Sequence, residues 1–273
     1  MVHEPRSRSG PYFGRMELQL SGKTFAVGGA TGGLGKAVAE RLLQEGARVV
    51  GFARSRDKLN RFGSEYGDRF IAQPTDTSDG IAVRKLGELL LDLKADGCVF
   101  NTGGPPSGTI AEVSMKQWDE AYASTFRWKI ALTTQLLPML RQRGSGQLLY
   151  LESVSIKQPI DNLVLSNAMR AAVAGFVKTL SREEGKNGIR PNILAPGYHA
   201  TDRITSILDR AAKLQNEDRA AVERAFLEAV PEGSMGQPDD FAGVAAFLLS
   251  PLAKYISGQT ITVDGGLVRH ITG

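Results

Sequence analysis

Two residue types that often mark a particular class of protein are scarce in this chain. Its 273 residues include one cysteine, Cys98, and three histidines. One cysteine cannot form an intramolecular disulfide, and neither it nor the histidines show the spacing of a metal site. The sequence therefore predicts a protein with no disulfide and no bound metal.

Long hydrophobic runs are also missing. No stretch approaches the roughly 20 apolar residues that a membrane helix needs, and the first fifteen residues lack the apolar segment of a signal peptide. We therefore expect a soluble, cytoplasmic protein that does not bind a membrane. Residues 1–16 contain Gly, Pro, Ser and Arg, and we interpret them as a flexible N-terminal extension.

The chain has no large excess of charge of either sign. Its 33 basic and 29 acidic residues give a formal net charge of +4, and the basic residues are scattered. A nucleic-acid-binding surface usually needs a basic stripe or patch. We therefore expect a small-molecule substrate as the partner, and no nucleic acid.

What the sequence does contain is a regular alternation of short apolar stretches and segments with helical periodicity. Such an alternation predicts βαβ units, and therefore an α/β fold. We expect a doubly wound, Rossmann-like parallel sheet of about seven strands with helices on both faces. The predicted strands are residues 24–29, 47–53, 69–76, 96–101, 147–153, 190–195 and 259–265, and the predicted helices lie near 34–45, 79–94, 116–142, 165–185 and 239–250.

One polar, helix-prone segment interrupts this alternation at about residues 199–235. At the carboxyl edge of a parallel sheet, such a segment would lie over the ligand crevice. We therefore predict a lid inserted into a single domain of residues 17–273. The alternative is a helical hairpin that only packs on the surface.

A glycine-rich segment, GGATGGLG at residues 28–35, lies between the first predicted strand and the first predicted helix. Glycines at 29, 33 and 35 let the backbone turn sharply and approach a pyrophosphate, which then lies at the amino end of the helix. This context predicts a dinucleotide site. The alternative is a tight turn that binds no ligand.

Arg54 follows the second predicted strand, where a site that prefers NAD carries an acidic residue. A guanidinium can hold a 2′-phosphate with two hydrogen bonds, whereas a carboxylate would repel it. The sequence therefore predicts NADP(H) rather than NAD(H) as the cofactor. The alternative is a solvated basic turn that contains Arg54, Arg56, Lys58 and Arg61.

Taken in order, these segments resemble the short-chain dehydrogenase/reductase family from about Leu20 to Gly266. The elements that carry the resemblance are the glycine loop, the Asn-Thr-Gly-Gly segment from Asn101, Pro196-Gly197 and the final SGQTITVDGG. Gly28 stands where the family usually has Thr, and the Asn101 segment departs from the family's Asn-Asn-Ala-Gly at two positions. The resemblance implies an NADP(H)-dependent oxidoreductase acting on a carbonyl or an alcohol. The cofactor-binding residues that it implies are Gly29, Thr31, Gly33, Leu34, Gly35, Arg54, Asp76, Asn101, Gly103, Arg170, Pro196, Gly197 and Thr201.

The resemblance fails at the catalytic positions. The family uses a Ser, a Tyr-x-x-x-Lys pair and an Asn; here Ser153 matches the Ser, while Ser166, Arg170 and Thr125 replace the Tyr, Lys and Asn. A serine hydroxyl is too weak an acid to replace a phenol, and a guanidinium does not release its proton. We therefore expect Ser153, Ser166, Arg170 and Tyr198 to form the catalytic site, with a different route for the proton.

Other side chains are candidates for the missing proton donor. Tyr198 and His199 follow the Pro-Gly segment, and Lys157 lies in the loop after the fifth strand. Tyr122 precedes Thr125 by three residues, which places both on one face of an α-helix. Each has a simpler interpretation: Tyr122 as a packing residue, Tyr198 as a hinge contact of the lid, and His199 and Lys157 as solvated surface.

Three functions are compatible with these residues. The first is an NADP(H)-dependent oxidoreductase with an atypical active site. The second is a non-redox isomerase, dehydratase or cyclase on the same fold, and the third is a catalytically silent NADP(H)-binding protein. By resemblance, the helices near 116–142 and 165–185 would form the interface of a homodimer or homotetramer.

Overall fold

The computed structural model describes residues 17–271, so the extension predicted for residues 1–16 lies outside the described residues. Within them, seven strands form one parallel sheet. The strands are β1 (Thr24–Gly28), β2 (Arg48–Ala53), β3 (Phe70–Pro74), β4 (Gly97–Phe100), β5 (Gly146–Leu151), β6 (Ile189–Pro196) and β7 (Thr260–Val263). Their order across the sheet is β3-β2-β1-β4-β5-β6-β7, which confirms the predicted doubly wound fold.

The connections between these strands are mainly helical. One turn of π-helix (Tyr122–Arg127), called the π turn below, joins the fourth and fifth helices into one continuous helical segment. The helices are α1 (Gly33–Gln44), α2 (Arg56–Gly63), α3 (Gly80–Asp92), α4 (Met115–Ala121), α5 (Trp128–Arg143), α6 (Val164–Glu184), α7 (Asp202–Gln215), α8 (Arg219–Glu228) and α9 (Pro238–Leu249).

The sheet is covered on both faces. Every residue of β1, β4 and β5 is buried, as expected for central strands of a parallel sheet between two helical layers. Alternate residues enter different cores: Phe25 and Val27 pack with α1 and α9, while Ala26 packs with α3, α5 and α6. The two cores fix the helices on opposite faces of one sheet.

The chain changes direction across the sheet between β1 and β4. From β1 it runs outward to β2 and β3, and then returns to β4 on the other side. The connections leaving the carboxyl ends of β1 and β4 therefore diverge and leave a crevice, where ligands bind in open α/β sheets. The glycine loop after β1 and the Asn101 segment after β4 lie at this crevice.

The insertion predicted at about 199–235 contains α7 and α8. The two helices share a small apolar cluster built on Ile204, Leu208, Ala212 and Val222. At its base, the amide of Ala200 donates to the carbonyl of Gly236 at 2.9 Å, and the amide of Gly236 donates to the carbonyl of Tyr198 at 3.0 Å. The insertion is thus a helical hairpin closed at its base.

One helix was absent from the sequence interpretation. The residues from Arg56 to Gly63, treated there as part of a possible basic turn, form α2, and the Ser55 hydroxyl caps it by accepting from the amide of Lys58 at 3.3 Å. Two turns with only Leu59 and Phe62 buried carry too little periodicity for prediction. None of the helices in residues 17–271 has the length and apolar content needed to cross a membrane.

We expect Leu208→Ala to loosen the α7–α8 hairpin and leave the sheet intact. Leu208 is fully buried in the small cluster, and a core Leu→Ala change costs about 2–5 kcal/mol. Hydrogen exchange should therefore accelerate in residues 202–228 and stay slow in residues 146–151. The control Leu132→Ala changes a buried residue of α5 and should instead lower the global midpoint of urea unfolding. Equal acceleration in both segments of the Leu208 variant would contradict an independent hairpin.

Candidate functional site

The turn after β1 can be built only from glycine at several positions. A Cβ on Gly28 would lie 2.2 Å from the carbonyl oxygen of Asn101, and one on Gly35 would lie 2.5 Å from the carbonyl oxygen of Gly28. Gly29 and Gly33 have φ values of +64° and +54°, in the region that favours glycine. The Asn101 side-chain amide donates to the Gly28 carbonyl at 3.0 Å and joins the two loops.

This turn leaves the amino end of α1 open. Gly32 is its N-cap and offers no side-chain cap, and a Cβ at Gly32 or Gly103 would meet nothing within 4 Å. The first amides of a helix lack internal partners and favour an anion. The residues around α1 therefore fit the pyrophosphate of a dinucleotide: Thr31 lies half-buried in the turn, and Leu34 anchors α1 to the core.

The predicted adenosine end of the site lies beyond β2 and β3. Asp76 accepts hydrogen bonds at one carboxylate oxygen from the hydroxyl of Ser78 at 2.6 Å and from its amide at 3.0 Å. These bonds lower the pKa of Asp76, and the positive charge of Arg54 lowers it further. Arg54 is exposed, so the structure brings a cation and a fixed carboxylate to the same edge.

The predicted nicotinamide end lies after β6. A Cβ on Gly197, the residue after Pro196, would lie 2.7 Å from the Cα of Asp264, so this turn packs closely on the end of β7. Thr201, just before α7, places its methyl carbon 3.6 Å from the position of a Cβ on Gly33. The start of the inserted hairpin therefore lies against the glycine loop.

Ser153 and Ser166 each have a fixed donor that leaves their own proton free. The Ser153 hydroxyl oxygen accepts from the amide of Ser155 at 3.1 Å. The Ser166 hydroxyl oxygen accepts from Nε of Arg170 at 3.0 Å, and Ser166 is buried at 8% exposure. A hydroxyl that accepts one bond can still donate one. Both serines can therefore still donate a hydrogen bond to a ligand oxygen.

Arg170 belongs to a buried group of three charges, which we call the charge triad: Lys129, Glu152 and Arg170. One oxygen of Glu152 accepts from Nζ of Lys129 and the other from Nη1 of Arg170 at 3.0 Å. The Glu152 and Lys129 side chains are 0% and 2% exposed, and that of Arg170 is 12% exposed. The triad reaches solvent only at Arg170.

Two cations share one carboxylate in this triad. Burial lowers the pKa of Lys129, and the positive charge of Arg170 acts in the same direction, while the carboxylate of Glu152 opposes both. With Lys129 protonated, the triad carries an excess positive charge in a buried site. Such a charge interacts strongly with an anion at its open edge, because the surroundings are poorly polarisable.

Two members of the triad were missed from the sequence. Glu152 directly follows the apolar run QLLYL and precedes Ser153, and Lys129 lies in the apolar helical stretch WKIAL. A lone charged residue in each of two apolar segments was a usable signal, since buried charges are normally paired. The pairing itself spans 23 positions of the chain and follows no local rule.

The π turn overturns the expected relation between Tyr122 and Thr125. Tyr122 is 46% exposed and Thr125 only 2% exposed, so they do not share a face. The reason is the i to i+5 bonding of a π turn, which changes the angular spacing of residues. The hydroxyl of Thr125 has no hydrogen-bond partner among the described residues. It is buried where the resemblance placed the Asn.

The remaining candidate donors differ in burial. His199 is 4% exposed and packs edge-on against Phe241, so its interpretation as solvated surface was wrong. Burial lowers the pKa of His199. Tyr198 is half-buried against Phe226, and burial raises its pKa. Lys157 is partly exposed in the loop after Ser153.

Tyr198 also lines a small apolar recess beside the serine loop. The recess has a volume of about 70 Å³, and Val154, the residue after Ser153, forms part of its wall. Its other walls come from the loop before α6 and from the C-terminal segment. They are Gln158, Pro159, Ile160, Leu267 and Val268.

The chain is similar to reductases and dehydrogenases over most of its length. The family model described as enoyl-(acyl carrier protein) reductase matches residues 29–268. The 3-oxoacyl-[acyl-carrier-protein] reductase of Vibrio cholerae is 28% identical, over 92% of this chain and 99% of that protein. The 7alpha-hydroxysteroid dehydrogenase of Bacteroides fragilis is 30% identical, over 92% and 96%. The crystal structure of L-sorbose reductase from Gluconobacter frateurii, complexed with NADPH and L-sorbose, matches with a TM-score of 0.88 and 27% identity, over 94% of this chain and 100% of that one.

We expect Glu152→Gln to destabilise the fold strongly. Removing the carboxylate leaves two buried cations without a counter-charge, which costs about 3–5 kcal/mol. The double variant Lys129→Met, Glu152→Gln should recover part of this loss, since it removes one cation as well. The free energy of urea unfolding measures both effects.

The control for the triad variants is Glu88→Gln, which removes a carboxylate from an exposed ion pair with Arg84. It should leave the unfolding free energy unchanged, because exposed pairs contribute little. A loss for Glu152→Gln as small as that of the control would show that the triad is not an electrostatic unit.

Proposed function

Since the chain belongs to the short-chain dehydrogenase/reductase family, we propose that it is an NADP(H)-dependent oxidoreductase that interconverts a carbonyl compound and an alcohol. One observation carries this proposal. The Ser153 and Ser166 hydroxyls and the Arg170 guanidinium form a set of hydrogen-bond donors at the same sheet edge as the open amino end of α1. Such donors stabilise an oxygen that gains negative charge.

The residues that fit the cofactor divide by the part they would hold. The amides at the start of α1, with Gly29, Thr31, Gly33, Leu34 and Gly35, would bind the pyrophosphate. Arg54 would pair with the 2′-phosphate and Asp76 would accept from the adenine amino group. Toward the nicotinamide end, the remaining contacts would come from Asn101, Gly103, Arg170, Pro196, Gly197 and Thr201. NADPH, when bound, supplies the hydride.

Transfer of a hydride to a carbonyl carbon leaves negative charge on its oxygen. Ser153 and Ser166 would donate their free hydroxyl protons to this oxygen as hydrogen bonds. The guanidinium of Arg170, which does not release its proton, would stabilise the same atom, and its burial makes that contribution larger than in water. Lys129 and Glu152 act as positioning residues for Arg170.

A proton must still reach the oxygen, and Arg170 cannot release one. We assign this proton to Tyr198 or to water beside its hydroxyl. Burial raises the pKa of Tyr198 and so makes the phenol a weaker acid, but an alkoxide is a much stronger base than a phenolate and can still take its proton. Its position in the recess next to Val154 places it close to the serine loop.

The second candidate is a non-redox isomerase or dehydratase, and the charge triad is the observation that favours it. A fixed excess positive charge next to two hydroxyls stabilises an enolate as well as an alkoxide. A protein that only binds NADP(H) has less support, because a buried triad of charges is costly to build and nucleotide binding alone does not require it.

The test is to mix the protein with NADPH and a panel of ketones, and to follow NADPH absorbance together with product mass. We expect NADPH oxidation and a product heavier by two hydrogens. Ser153→Ala and Ser166→Ala should each lower kcat by roughly 10²-fold, as expected for loss of one oxyanion donor, with an unchanged Kd for NADPH. Ser206→Ala, a matched change on exposed α7, should have no effect. A product of unchanged mass without NADPH oxidation would support the non-redox candidate instead.

Cofactor preference has its own prediction. Arg54→Asp should raise the Kd of NADPH by at least about tenfold, because a charge-assisted hydrogen bond of about 1.5–3 kcal/mol is lost and a repulsion is added. The Kd of NADH should change much less, since NADH lacks the 2′-phosphate. Fluorescence titration measures both constants. The control Arg61→Asp makes the same change of charge on exposed α2, and an equal effect there would show that Arg54 acts only through general charge.

A further inference from the structure

Two guanidinium groups converge on Gly104, in the loop after β4. The position of a Cβ on Gly104 lies 3.3 Å from Nη2 of Arg170 and 3.9 Å from Nη2 of Arg203. Arg170 comes from α6 and Arg203 from the first turn of α7 in the lid. The two cations thus approach one point from the body of the protein and from the lid.

Neither of these nitrogens is matched with a carboxylate. The carboxylate of Glu152 bonds Nη1 of Arg170, and Nε of Arg170 bonds Ser166, which leaves Nη2 without a protein partner among the described residues. Arg203 is exposed and makes no hydrogen bond or ion pair with any described residue. Like charges held close together repel, so the arrangement favours an anion between them.

The carboxylates nearest in the chain are placed elsewhere. Glu112 accepts from the amide of Thr109 at 2.8 Å, and the neighbouring Arg210 bonds the hydroxyl of Ser107 at 2.6 Å. Asp202 lines the cleft between α7 and α8, together with Arg219. Within residues 17–271, therefore, no carboxylate pairs with Nη2 of Arg170 or with Arg203.

The absence of a side chain at Gly104 keeps this space open. Gly104 does not have a positive φ, so its backbone conformation is accessible to other residues. A Cβ there would still approach Nη2 of Arg170 to 3.3 Å, and any larger side chain would fill the gap between the guanidiniums. The glycine leaves room for a ligand group.

We propose that Arg170 and Arg203 bind a carboxylate of the substrate, and that the substrate is a 2-oxo acid or the corresponding 2-hydroxy acid. This inference rests on the proposed function. The single proton of Nε of Arg170 is donated to Ser166, so a carbonyl oxygen would bond the Ser166 hydroxyl while a carboxylate would bond Nη2 of the same guanidinium. That proximity suits groups on adjacent carbons.

The reaction balances without another reactant. A 2-oxo acid takes a hydride from NADPH at its carbonyl carbon and a proton at its oxygen, which yields a 2-hydroxy acid and NADP⁺. The rest of the substrate would lie in the apolar recess built on Val154, Pro159 and Ile160. We therefore expect an aliphatic chain of a few carbons beside the oxo group.

The test uses 2-oxohexanoate and its uncharged methyl ester as matched probes. Their affinities are first measured by calorimetry on the full chain saturated with NADP⁺, because the oxidised cofactor cannot reduce either probe and binding is then separated from turnover. The acid should bind at least about tenfold more tightly than the ester, as expected for charge-assisted hydrogen bonds. Equal affinities, or no measurable binding of the acid, would overturn the carboxylate site.

Arg203→Ala should remove this preference. We expect about a tenfold or greater loss of affinity for the acid, an unchanged affinity for the ester and less than a twofold change in the Kd of NADP⁺. Arg224→Ala, which removes the same charge from an exposed position of α8, should leave all three values unchanged. If Arg203→Ala weakens NADP⁺ as much as the acid, the anion between the guanidiniums is a cofactor phosphate and the inference is wrong.

Turnover separates this inference from the proposed function. With NADPH, kcat/KM should favour 2-oxohexanoate over its ester in the wild-type protein, and the preference should vanish in Arg203→Ala. Binding of the acid that depends on Arg203, without NADPH oxidation, would support the carboxylate site and contradict the oxidoreductase. Equal reduction of acid and ester would support the oxidoreductase and contradict the carboxylate site.

Discussion

The candidate site depends on the carboxylate of Glu152. It lies just beyond the end of β5 and holds one cation from α5 and another from α6. The sheet and two long helices therefore meet in one electrostatic contact. A buried ion pair often contributes little net stability, because its charges lose their hydration. The presence of Glu152 beside Ser153 and Ser166 is better explained by the fixed position that its carboxylate gives to Arg170.

The triad also explains how the changes at the family's catalytic positions fit together. A Lys at position 170 would be a compact point charge, whereas the Arg has three nitrogens that point in separate directions. Nε bonds Ser166, Nη1 bonds Glu152, and Nη2 is directed to Gly104. Replacing the bulky phenol with a serine leaves a small hydroxyl that accepts from Nε. The substitutions thus form a connected set, and Glu152 and Lys129 belong to it although they lie outside the family's motif.

The parts that sequence could predict are those governed by local patterns. The seven strands were confirmed, and each predicted end lies within about two residues of the observed end. The alternation of apolar and helical segments is strong in a buried parallel sheet. The α2 helix was missed because two turns give little periodicity, and the π turn was missed because no residue pattern marks it. The charge triad depends on three segments that only the fold brings together. The homodimer or homotetramer stays a prediction, as do the roles of the individual site residues.

The same geometry suggests why an enzyme could keep this site without a phenol beside a lysine. A fixed guanidinium cannot move a proton, but it binds an oxyanion or a carboxylate with directed hydrogen bonds. The negative charge of a carboxylate makes the adjacent carbonyl carbon a poorer hydride acceptor, and two cations that neutralise this charge restore its electrophilicity. The positive charge at Arg170 and Arg203 would then act on both groups of a 2-oxo acid at once. Under this interpretation, the triad stabilises charge where the family has a proton relay. The proton would then come from the segment before α7, where Tyr198 lies.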